Sequence, residues 1–503
     1  MNPKWNLYFL GWISTVAMAE IQFGYLIGEH SLIKDVLPWI YHFDGSKWMR
    51  GINGLVRAMG PFGAALGALI AGPLSYKGRR TCLLIANMIV IISWFIRMIR
   101  EIIILIIARF IYGLGVGIIS VIVPLFIIEI SPIKVKGSYG VLCQLGISSG
   151  IIIAYLFGFP ARKFMPPEDG EDNYWRDYHN SVQMNINLNF IFPVIPAILQ
   201  ILWLLFFFKL DTPKYYMIKE DWRNAKLSYN KIHPPLSWYQ YSTSISDIHD
   251  FEEYDVLDSI DANKDGRTYR SLLKPRYRRP FLVGVMLITI QQLSGINLII
   301  LFSSKIVFIH PQNTFKLTYL IGAINLAVTV AAIVLYRFAK MKTALLVGIL
   351  TICACHCMIF SIYAQAIYLE ENNKAPDTGS IENAIMAFLI IIVIAFALTL
   401  GPITWIYLPE IMTEIGLSIA VAIHWFIIIF ISYLPTIGPL INFQDYYLNY
   451  MMSDITVFFF IFSGWWVVGF FLIALFIKET QGMSPKEILY MYQDQSYNPL
   501  TES

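Results

Sequence analysis

Long runs of apolar residues, separated by short polar or basic stretches, recur from one end of the chain to the other. Each run is long enough to cross the ~30 Å hydrocarbon core of a bilayer, which takes about 20 residues of helix. The pattern predicts an all-α polytopic membrane protein with about twelve transmembrane helices. We place them at 7–28, 52–74, 81–98, 103–127, 138–159, 186–209, 280–304, 316–336, 343–367, 384–408, 416–440 and 454–477.

A polar segment after the sixth predicted helix divides the chain into six helices plus six. We therefore predict an N-terminal half (1–210), a cytoplasmic linker with short helices (211–278), a C-terminal half (279–482) and a cytoplasmic tail (483–503). Many secondary transporters consist of two similar six-helix halves with the substrate site near the midplane. The pattern therefore favours a membrane transporter.

Basic residues follow the second, fourth and eighth predicted helices, at ends that share one side of the membrane. By the positive-inside rule this side is the cytoplasm, so we expect both termini and the linker there. Arg97 and Arg100 lie on the other side and are outnumbered. The plasma membrane is the expected location, with an organelle as the alternative. The residues used are Lys77, Arg79, Arg80, Lys134, Lys136, Arg337, Lys340 and Lys342.

Composition agrees with a membrane protein. The 503 residues are 57% hydrophobic and 14% charged, whereas a soluble protein carries roughly a quarter charged residues. The net charge of +3 is small and spread along the chain, so nothing indicates a nucleic-acid partner. The first apolar run is too long for the core of a signal peptide and is interpreted as a retained span.

Two stretches look like metal sites but lack the required geometry. Cys353 and Cys357 share a helix face from which Cys355 points away, so the three thiols do not converge on one ion. A calcium-loop-like stretch begins at Asp261, but its twelfth position is Leu272, where a bidentate glutamate is needed. We expect no metal and no cofactor. No nucleophile and base pair is evident, so we do not expect an enzyme.

The stretch LITIQQLSGINLI lies inside the seventh predicted helix. An unpaired amide in hydrocarbon costs several kcal/mol, so its polar residues must face polar partners. Interhelical hydrogen bonds are one such environment and a bound ligand is another. Gln292 comes near Asn297 only if the helix is irregular, which Gly295 permits. The polar residues are Gln291, Gln292, Ser294 and Asn297.

Short motifs in both halves resemble those of the sugar porters of the major facilitator superfamily. The matches run in order across nearly the whole chain, and the overall pattern is most similar to the facilitative hexose transporters of protozoan parasites. The N-terminal motifs are Phe23-Gly24-Tyr25, Arg109-Phe110 with Gly113 and Gly117, Pro124 to Pro132, Lys136-Gly137 and Gln144-Leu145. The later motifs are Asp211 to Lys214, QQLSGIN, Gly401 to Trp405, and Lys478 to Gly482.

The resemblance implies the fold of that superfamily and a hexose bound by amides, which supply donors and an acceptor without a charge. Trp405 would be the stacking platform and gate, and Trp425 is similar to a second family tryptophan beneath the site. The Gly401-Pro402 pair suggests a span that bends. His424 replaces the usual asparagine, and we expect it to form neutral hydrogen bonds. The implied sugar contacts are Gln144, Gln291, Gln292, Asn297 and Asn325.

The resemblance also implies an ion-pair network that closes the cytoplasmic side. In the family, a basic residue usually follows the glutamate that the C-terminal half contributes to this network, but here that position is Leu417. The loop after the eighth helix also lacks an acidic residue. We therefore expect fewer ion pairs and a less stable outward-facing state. The implied network residues are Arg79, Arg80, Glu129, Lys136 and Glu410.

Proton-driven members of the family carry an aspartate directly after the Gly-Tyr pair, where this chain has Leu26. We therefore predict a uniporter that equilibrates hexoses such as glucose by alternating access. The alternative is a proton-coupled sugar or polyol symporter that uses Glu20, an intramembrane carboxylate that Arg109 could pair with. A sugar receptor is less favoured because the tail is short. The expected partners are a sugar and the lipid bilayer, with no obligate protein partner.

Overall fold

A computed structural model describes a helical protein. The described residues are 7–33, 37–41, 49–132, 135–163, 184, 186–232, 268–300, 311–372, 378–437, 448–483 and 485–492, and no β-strand occurs among them. Residues 233–267 of the predicted linker, which include the first seven positions of the calcium-loop-like stretch from Asp261, lie outside these residues, as does the end of the tail.

Within the described residues, twelve helices are long and apolar enough to cross a membrane, which confirms the predicted number. We call them spans 1–12. Shorter helices cover Leu37–Ile40, Pro213–Ile218, Trp222–Ile232 and Pro485–Tyr492. The spans are Leu7–Met18 with Glu20–Ile33, Met49–Leu74, Arg79–Arg97, Ile102–Ile130, Lys136–Lys163, Ile186–Phe206, Pro275–Gln292 continuing to Ile300, Pro311–Leu335, Met341–Glu371, Thr378–Leu398 with Leu400–Ile411, Glu414–Ile437 and Leu448–Phe476.

Four spans are interrupted, among them span 6, which has a turn at Phe192-Pro193. Span 1 breaks at Ala19 and span 10 at Thr399. Span 7 leaves regular helix just before Gly295, whose φ of 79° lies in the left-handed region that favours glycine. The sequence predicts the irregularity of span 7 and a break at Gly401-Pro402, but the break in span 10 lies before both residues. Pro402 instead occupies the first turn of the next helix, where its missing N–H removes no hydrogen bond.

The linker side of the bundle, where spans 3, 5, 9 and 11 begin, shows one capping arrangement twice. Asp211, after span 6, accepts hydrogen bonds from the first two backbone N–H groups of span 3 at 3.2 and 3.0 Å. Glu479, after span 12, accepts from those of span 9 at 3.2 and 3.1 Å. Carboxylates are favourable at helix starts, where N–H groups lack partners. Burial raises the pKa of the Asp211 carboxyl, and its N–H donors oppose that shift.

The residue after each of these carboxylates continues the repeat. It is a threonine whose hydroxyl donates to a glutamate near the end of span 4 or span 10. The two hydrogen bonds join Thr212 to Glu129 at 2.7 Å and Thr480 to Glu410 at 2.8 Å. Equivalent side chains therefore make equivalent contacts in the two groups of six spans.

Small residues let spans from the two predicted halves approach closely. A Cβ atom added at Gly72 of span 2 would lie 2.6 Å from Ser418 Oγ of span 11. One added at Gly140 of span 5 would collide with the Ile406 side chain of span 10. Helices in lipid commonly associate through such small residues. The two halves are therefore in direct contact on the linker side.

Large apolar side chains cover the outer surface of the bundle. Phe95, Ile103 and Leu475, for example, are 61, 67 and 73% exposed. In water such a surface would be an extended apolar patch, whereas in a bilayer it faces hydrocarbon. The polar side chains of the spans that need partners lie mainly in the interior.

Candidate functional site

The three amides of span 7 form a hydrogen-bonded chain in the bundle interior. Asn297 Nδ2 donates to Gln292 Oε1, and Gln292 Nε2 contacts Nδ1 of His424 in span 11. Gln291 Oε1 accepts from Gln292 Nε2 at 3.4 Å, and Gln291 Nε2 donates to the Leu400 carbonyl, also at 3.4 Å. The chain therefore links span 7 to spans 10 and 11.

A second polar chain joins span 5 to span 8. Gln144 Nε2 donates to Ser148 Oγ at 3.4 Å, and Ser148 Oγ lies 3.3 Å from Thr329 Oγ1. Thr329 in turn donates to the backbone carbonyl of Asn325 at 2.7 Å. The side-chain oxygen of Asn325 is buried and has no hydrogen-bond partner. An unsatisfied buried acceptor costs about 1–3 kcal/mol, so this atom suits a ligand that donates a hydrogen bond.

The break in span 10 brings these two chains together. The Leu400 carbonyl, in the first turn of the helix after the break, accepts from Gln291 and also from the Thr404 hydroxyl, the latter at 2.7 Å. The next residue, Gly401, lies so close to span 5 that an added Cβ atom would be 3.1 Å from Cδ of Gln144. The backbone of span 10 therefore lies between the amides of span 5 and those of span 7.

Aromatic side chains enclose the amide chain. Trp405 of span 10 packs edge-on against Phe23 of span 1, with ring centroids 5.5 Å apart, and lies 5.3 Å from His424. Trp425 of span 11 lies 4.6 Å from Phe23, and its Nε1 donates to Ser120 Oγ of span 4 at 3.1 Å. Because Phe23 and Ser120 belong to the first six spans and both tryptophans to the last six, this aromatic cluster joins the two groups.

The structure places all the implied sugar contacts in the two polar chains or the aromatic cluster. Sequence reasoning missed Ser148, Thr329 and Phe23 as parts of this site. Hydroxyl side chains in helices commonly bond to carbonyls of the preceding turn, so their presence carries little signal. Phe23 stands in a recognised motif, but its ring partners follow only from the packing of spans 1, 10 and 11.

The site offers hydrogen-bond donors and acceptors without a formal charge. Its polar groups are amides, hydroxyls, an imidazole and indoles, and amides serve as both donor and acceptor. Its aromatic rings provide apolar faces with defined geometry. A charged ligand would lose its hydration here without gaining a counter-charge. The arrangement suits a neutral ligand with several hydroxyl groups.

A buried cluster of charges lies at the linker side. Arg79 bonds to Glu129 at 2.7 Å and to Glu414 at 2.8 Å. Lys214 lies 3.5 and 3.7 Å from the same two carboxylates. Since Glu129 ends span 4 and Glu414 begins span 11, Arg79 connects the two predicted halves.

This cluster differs from the expected network in two ways. Arg80 is not among its described ion pairs, because its guanidinium donates to the Leu204 carbonyl of span 6 at 3.1 and 3.0 Å. Sequence reasoning also missed Glu414, which supplies a carboxylate near the place where Leu417 replaces a base. Glu414 pairs with Arg79, and Lys136 lies 3.6 Å from Glu410. These two ion pairs connect the halves at the place where we expected fewer of them.

The expected pairing of Arg109 with Glu20 is wrong. Arg109 bonds instead to Glu29, at 2.6 Å, and the other oxygen of Glu29 bonds to Arg97 at 2.5 Å. All three side chains are buried. Both glutamates lie after the break at Ala19, on the helix Glu20–Ile33. Nine residues separate them, which places them on opposite faces and about 13 Å apart along the axis, so only one of the two can meet Arg109.

Glu20 lies apart from this cluster. It is 1% exposed, and neither of its carboxyl oxygens has a hydrogen-bond partner. Its Cβ atom packs against span 5, where a Cβ atom added at Gly146 would lie 2.6 Å away. An ionised carboxylate without a partner is very unfavourable in such surroundings, so the protonated form fits this conformation.

Within the described part of the chain, no group of three or more His, Cys, Asp or Glu side chains could hold a metal ion. Cys355 is buried and Cys357 is exposed, so these two thiols face different surroundings.

The twelve spans have the fold of the major facilitator superfamily. The structure is similar to that of the proton:xylose symporter XylE bound to 6-bromo-6-deoxy-D-glucose, with a TM-score of 0.77, 21% identity, and coverage of 97% of this chain and 100% of that one. It is also similar to the fucose:proton symporter FucP of E. coli, with a TM-score of 0.57, 13% identity, and coverage of 94 and 99%.

The chain belongs to the family "Sugar (and other) transporter", which it matches over residues 12–492. It is 28% identical over 490 residues to Hexose transporter 1 of Plasmodium knowlesi, covering 94% of this chain and 90% of that relative. It is 26% identical over 519 residues to Hexose transporter 1 of Plasmodium falciparum (isolate 3D7), covering 98 and 94%. The protein is a multi-pass membrane transporter of sugar and not an enzyme.

Proposed function

We propose that the protein is a facilitative transporter that equilibrates hexoses such as glucose by alternating access. The observation that supports this most directly is the uncharged hydrogen-bonding site built from spans of both halves. The names of the Plasmodium relatives, both called hexose transporters, agree with it. Leu26 stands where proton-driven members of the family carry an aspartate, which favours uniport.

The polar chains and the aromatic cluster make different contacts with the sugar. The amides exchange their bonds to one another for bonds to sugar hydroxyls, and Trp405 packs against an apolar face of the ring. Because hydrogen bonds are exchanged rather than added, each contributes only about 0.5–1.5 kcal/mol net. Such modest affinity suits a carrier that must release its substrate. The amides concerned are Gln144, Gln291, Gln292, Asn297 and Asn325.

Alternating access follows from the two connections on the linker side. Arg79 with Glu414, and Lys136 with Glu410, hold the halves together there. We infer that this side is cytoplasmic, with both termini and the linker, in a protein of the plasma membrane. Breaking these pairs opens the site inward, while Gly401, Pro402 and Trp425 accommodate the movement of spans 10 and 11.

Uptake of labelled D-glucose into proteoliposomes tests this proposal. Gln292→Ala should raise KM about 5- to 100-fold because it removes the centre of the amide chain. Gln200→Ala is the matched control, since this buried amide bonds instead to Asn87 and the Thr15 carbonyl, each at 2.6 Å. The control should leave the KM of the folded fraction unchanged. Equal changes in KM for both variants would contradict the assignment of the site.

A proton-coupled sugar or polyol symporter is the second candidate. The observation that favours it is the buried carboxyl of Glu20, which lacks a partner and could exchange a proton as the halves move. In that case an inward proton gradient would drive accumulation above equilibrium, and Glu20→Gln would abolish it. Uptake that ignores the gradient would exclude this candidate.

A further inference from the structure

His424 lies where the amide chain meets the aromatic cluster. Its ring is 5.5 Å from Phe23, 5.3 Å from Trp405 and 5.3 Å from Trp425, with interplanar angles of 88, 68 and 82°. It is 3% exposed. Edge-to-face contacts with three rings restrict the plane of the imidazole. Both ring nitrogens of His424 face the amide nitrogen of Gln292. Nδ1 of the ring is in contact with it, and Nε2 of the ring lies 3.4 Å from it.

The imidazole of His424 faces one particular end of the Gln292 side-chain amide. A neutral imidazole has one nitrogen that donates and one that accepts. Because the amide nitrogen of Gln292 faces Nδ1, Nδ1 is the acceptor. The amide oxygen of Gln292 then faces Asn297, whose Nδ2 donates to it. In this orientation the Nδ1 acceptor of span 11 faces the amide nitrogen of Gln292, and the Asn297 donor of span 7 faces its amide oxygen.

We propose that His424 is a positioning residue for sugar selection that acts through Gln292 by holding its amide in one of two orientations. This inference rests on the proposed transport function. The held amide keeps a second lone pair for a sugar hydroxyl, and its second N–H can exchange the 3.4 Å bond to Gln291 for one to the sugar, in a fixed arrangement. Without the acceptor on span 11 the Gln292 amide is held only by the amides of Gln291 and Asn297, which can turn with it, so both affinity and discrimination between sugars fall.

Two substitutions separate positioning from packing. His424→Phe keeps an aromatic ring among the other three but removes the acceptor, whereas His424→Asn loses the ring and keeps an acceptor. We expect His424→Phe to raise the KM for D-glucose about 5- to 30-fold while the Vmax of the folded transporter is retained. His424→Asn should stay closer to wild type. A residue that only fills space would give the opposite order, because phenylalanine matches the ring better than asparagine.

A double-mutant cycle tests whether His424 acts through Gln292. Uptake of D-glucose is measured for His424→Phe, Gln292→Ala and the double variant in proteoliposomes. We expect the double variant to have the KM of Gln292→Ala alone, since no amide remains to be positioned. If His424→Phe does not fold, His424→Leu replaces it, because leucine also lacks an acceptor.

Two results would overturn the inference while leaving the transport function intact. They are additive effects in the cycle, and a smaller effect of His424→Phe than of His424→Asn. A wild-type protein that takes up no hexose would overturn the proposed function, and this inference with it. Comparing D-glucose with its monodeoxy analogues adds a further check, because discrimination among them should shrink in His424→Phe.

Discussion

At the residue scale, two glutamates of span 1 have opposite surroundings. Glu29 is fully buried between Arg97 and Arg109, whereas Glu20 is equally buried and has no partner. The first carboxylate compensates two guanidinium groups that would be very unfavourable alone. The second compensates nothing. The same chemical change at the two positions should therefore have effects of very different size.

We expect Glu29→Gln to destabilise the protein by about 3–5 kcal/mol, because it leaves two buried guanidinium groups without a carboxylate. Glu20→Gln is the matched control, since it replaces an unpartnered carboxyl by an amide of the same shape, and should change stability by less than about 1 kcal/mol. Thermal unfolding of the purified variants in detergent measures both. Equal losses of stability would contradict the partners assigned to these residues.

These residues also show how far the sequence can predict a site. Gln292 and Asn297 could be grouped in advance because they lie close together on one span, with a flexible glycine between them. The partner of Arg109 could not, because Glu20 and Glu29 lie on opposite faces of one helix, and which face meets span 4 depends on how spans 1 and 4 pack. The bond between His424 and Gln292 likewise depends on the packing of spans 7 and 11, which local sequence does not encode.

At the element scale, one short helix connects the proposed sugar site to the linker side. The second part of span 10, Leu400–Ile411, carries Trp405 at the site and Glu410 in the ion pair with Lys136. The start of span 11 follows directly and places Glu414 against Arg79. Because a helix of twelve residues moves as a stiff unit, separation of the halves at the linker side displaces the aromatic cluster as well.

We expect Glu414→Gln to favour opening of the linker side, because it breaks the contacts of span 11 with Arg79 and Lys214 but leaves Arg79 paired with Glu129. Labelling of a Ser418→Cys reporter by a hydrophilic maleimide measures this opening, since Ser418 is buried against span 2. The rate should rise by at least about tenfold.

The matched control for this experiment is Glu479→Gln. It removes a cap within the second group of spans and breaks no described ion pair between the halves. An unchanged rate in Glu414→Gln, or the same increase in both variants, would show that Glu414 does not hold the linker side closed. Glu414 could not be identified from the sequence, because its partner lies in the other half of the chain.

At the scale of the whole molecule, the two halves repeat the same linker-side contacts. Asp211 with Thr212 and Glu479 with Thr480 cap equivalent helices and bond to equivalent glutamates. The number of spans could be predicted because bilayer thickness fixes the length of an apolar helix. The contacts between the halves could not, because they depend on how the two groups of spans dock.

The proposed carrier exchanges hexose across the membrane without an ion gradient. Counterflow tests this most directly: proteoliposomes loaded with unlabelled D-glucose are diluted into tracer D-glucose with no gradient imposed. We expect transient accumulation of tracer above its equilibrium level, which disappears when L-glucose replaces the internal D-glucose. Wild-type protein that shows no transient accumulation, or shows it only under an imposed proton gradient, would contradict the account.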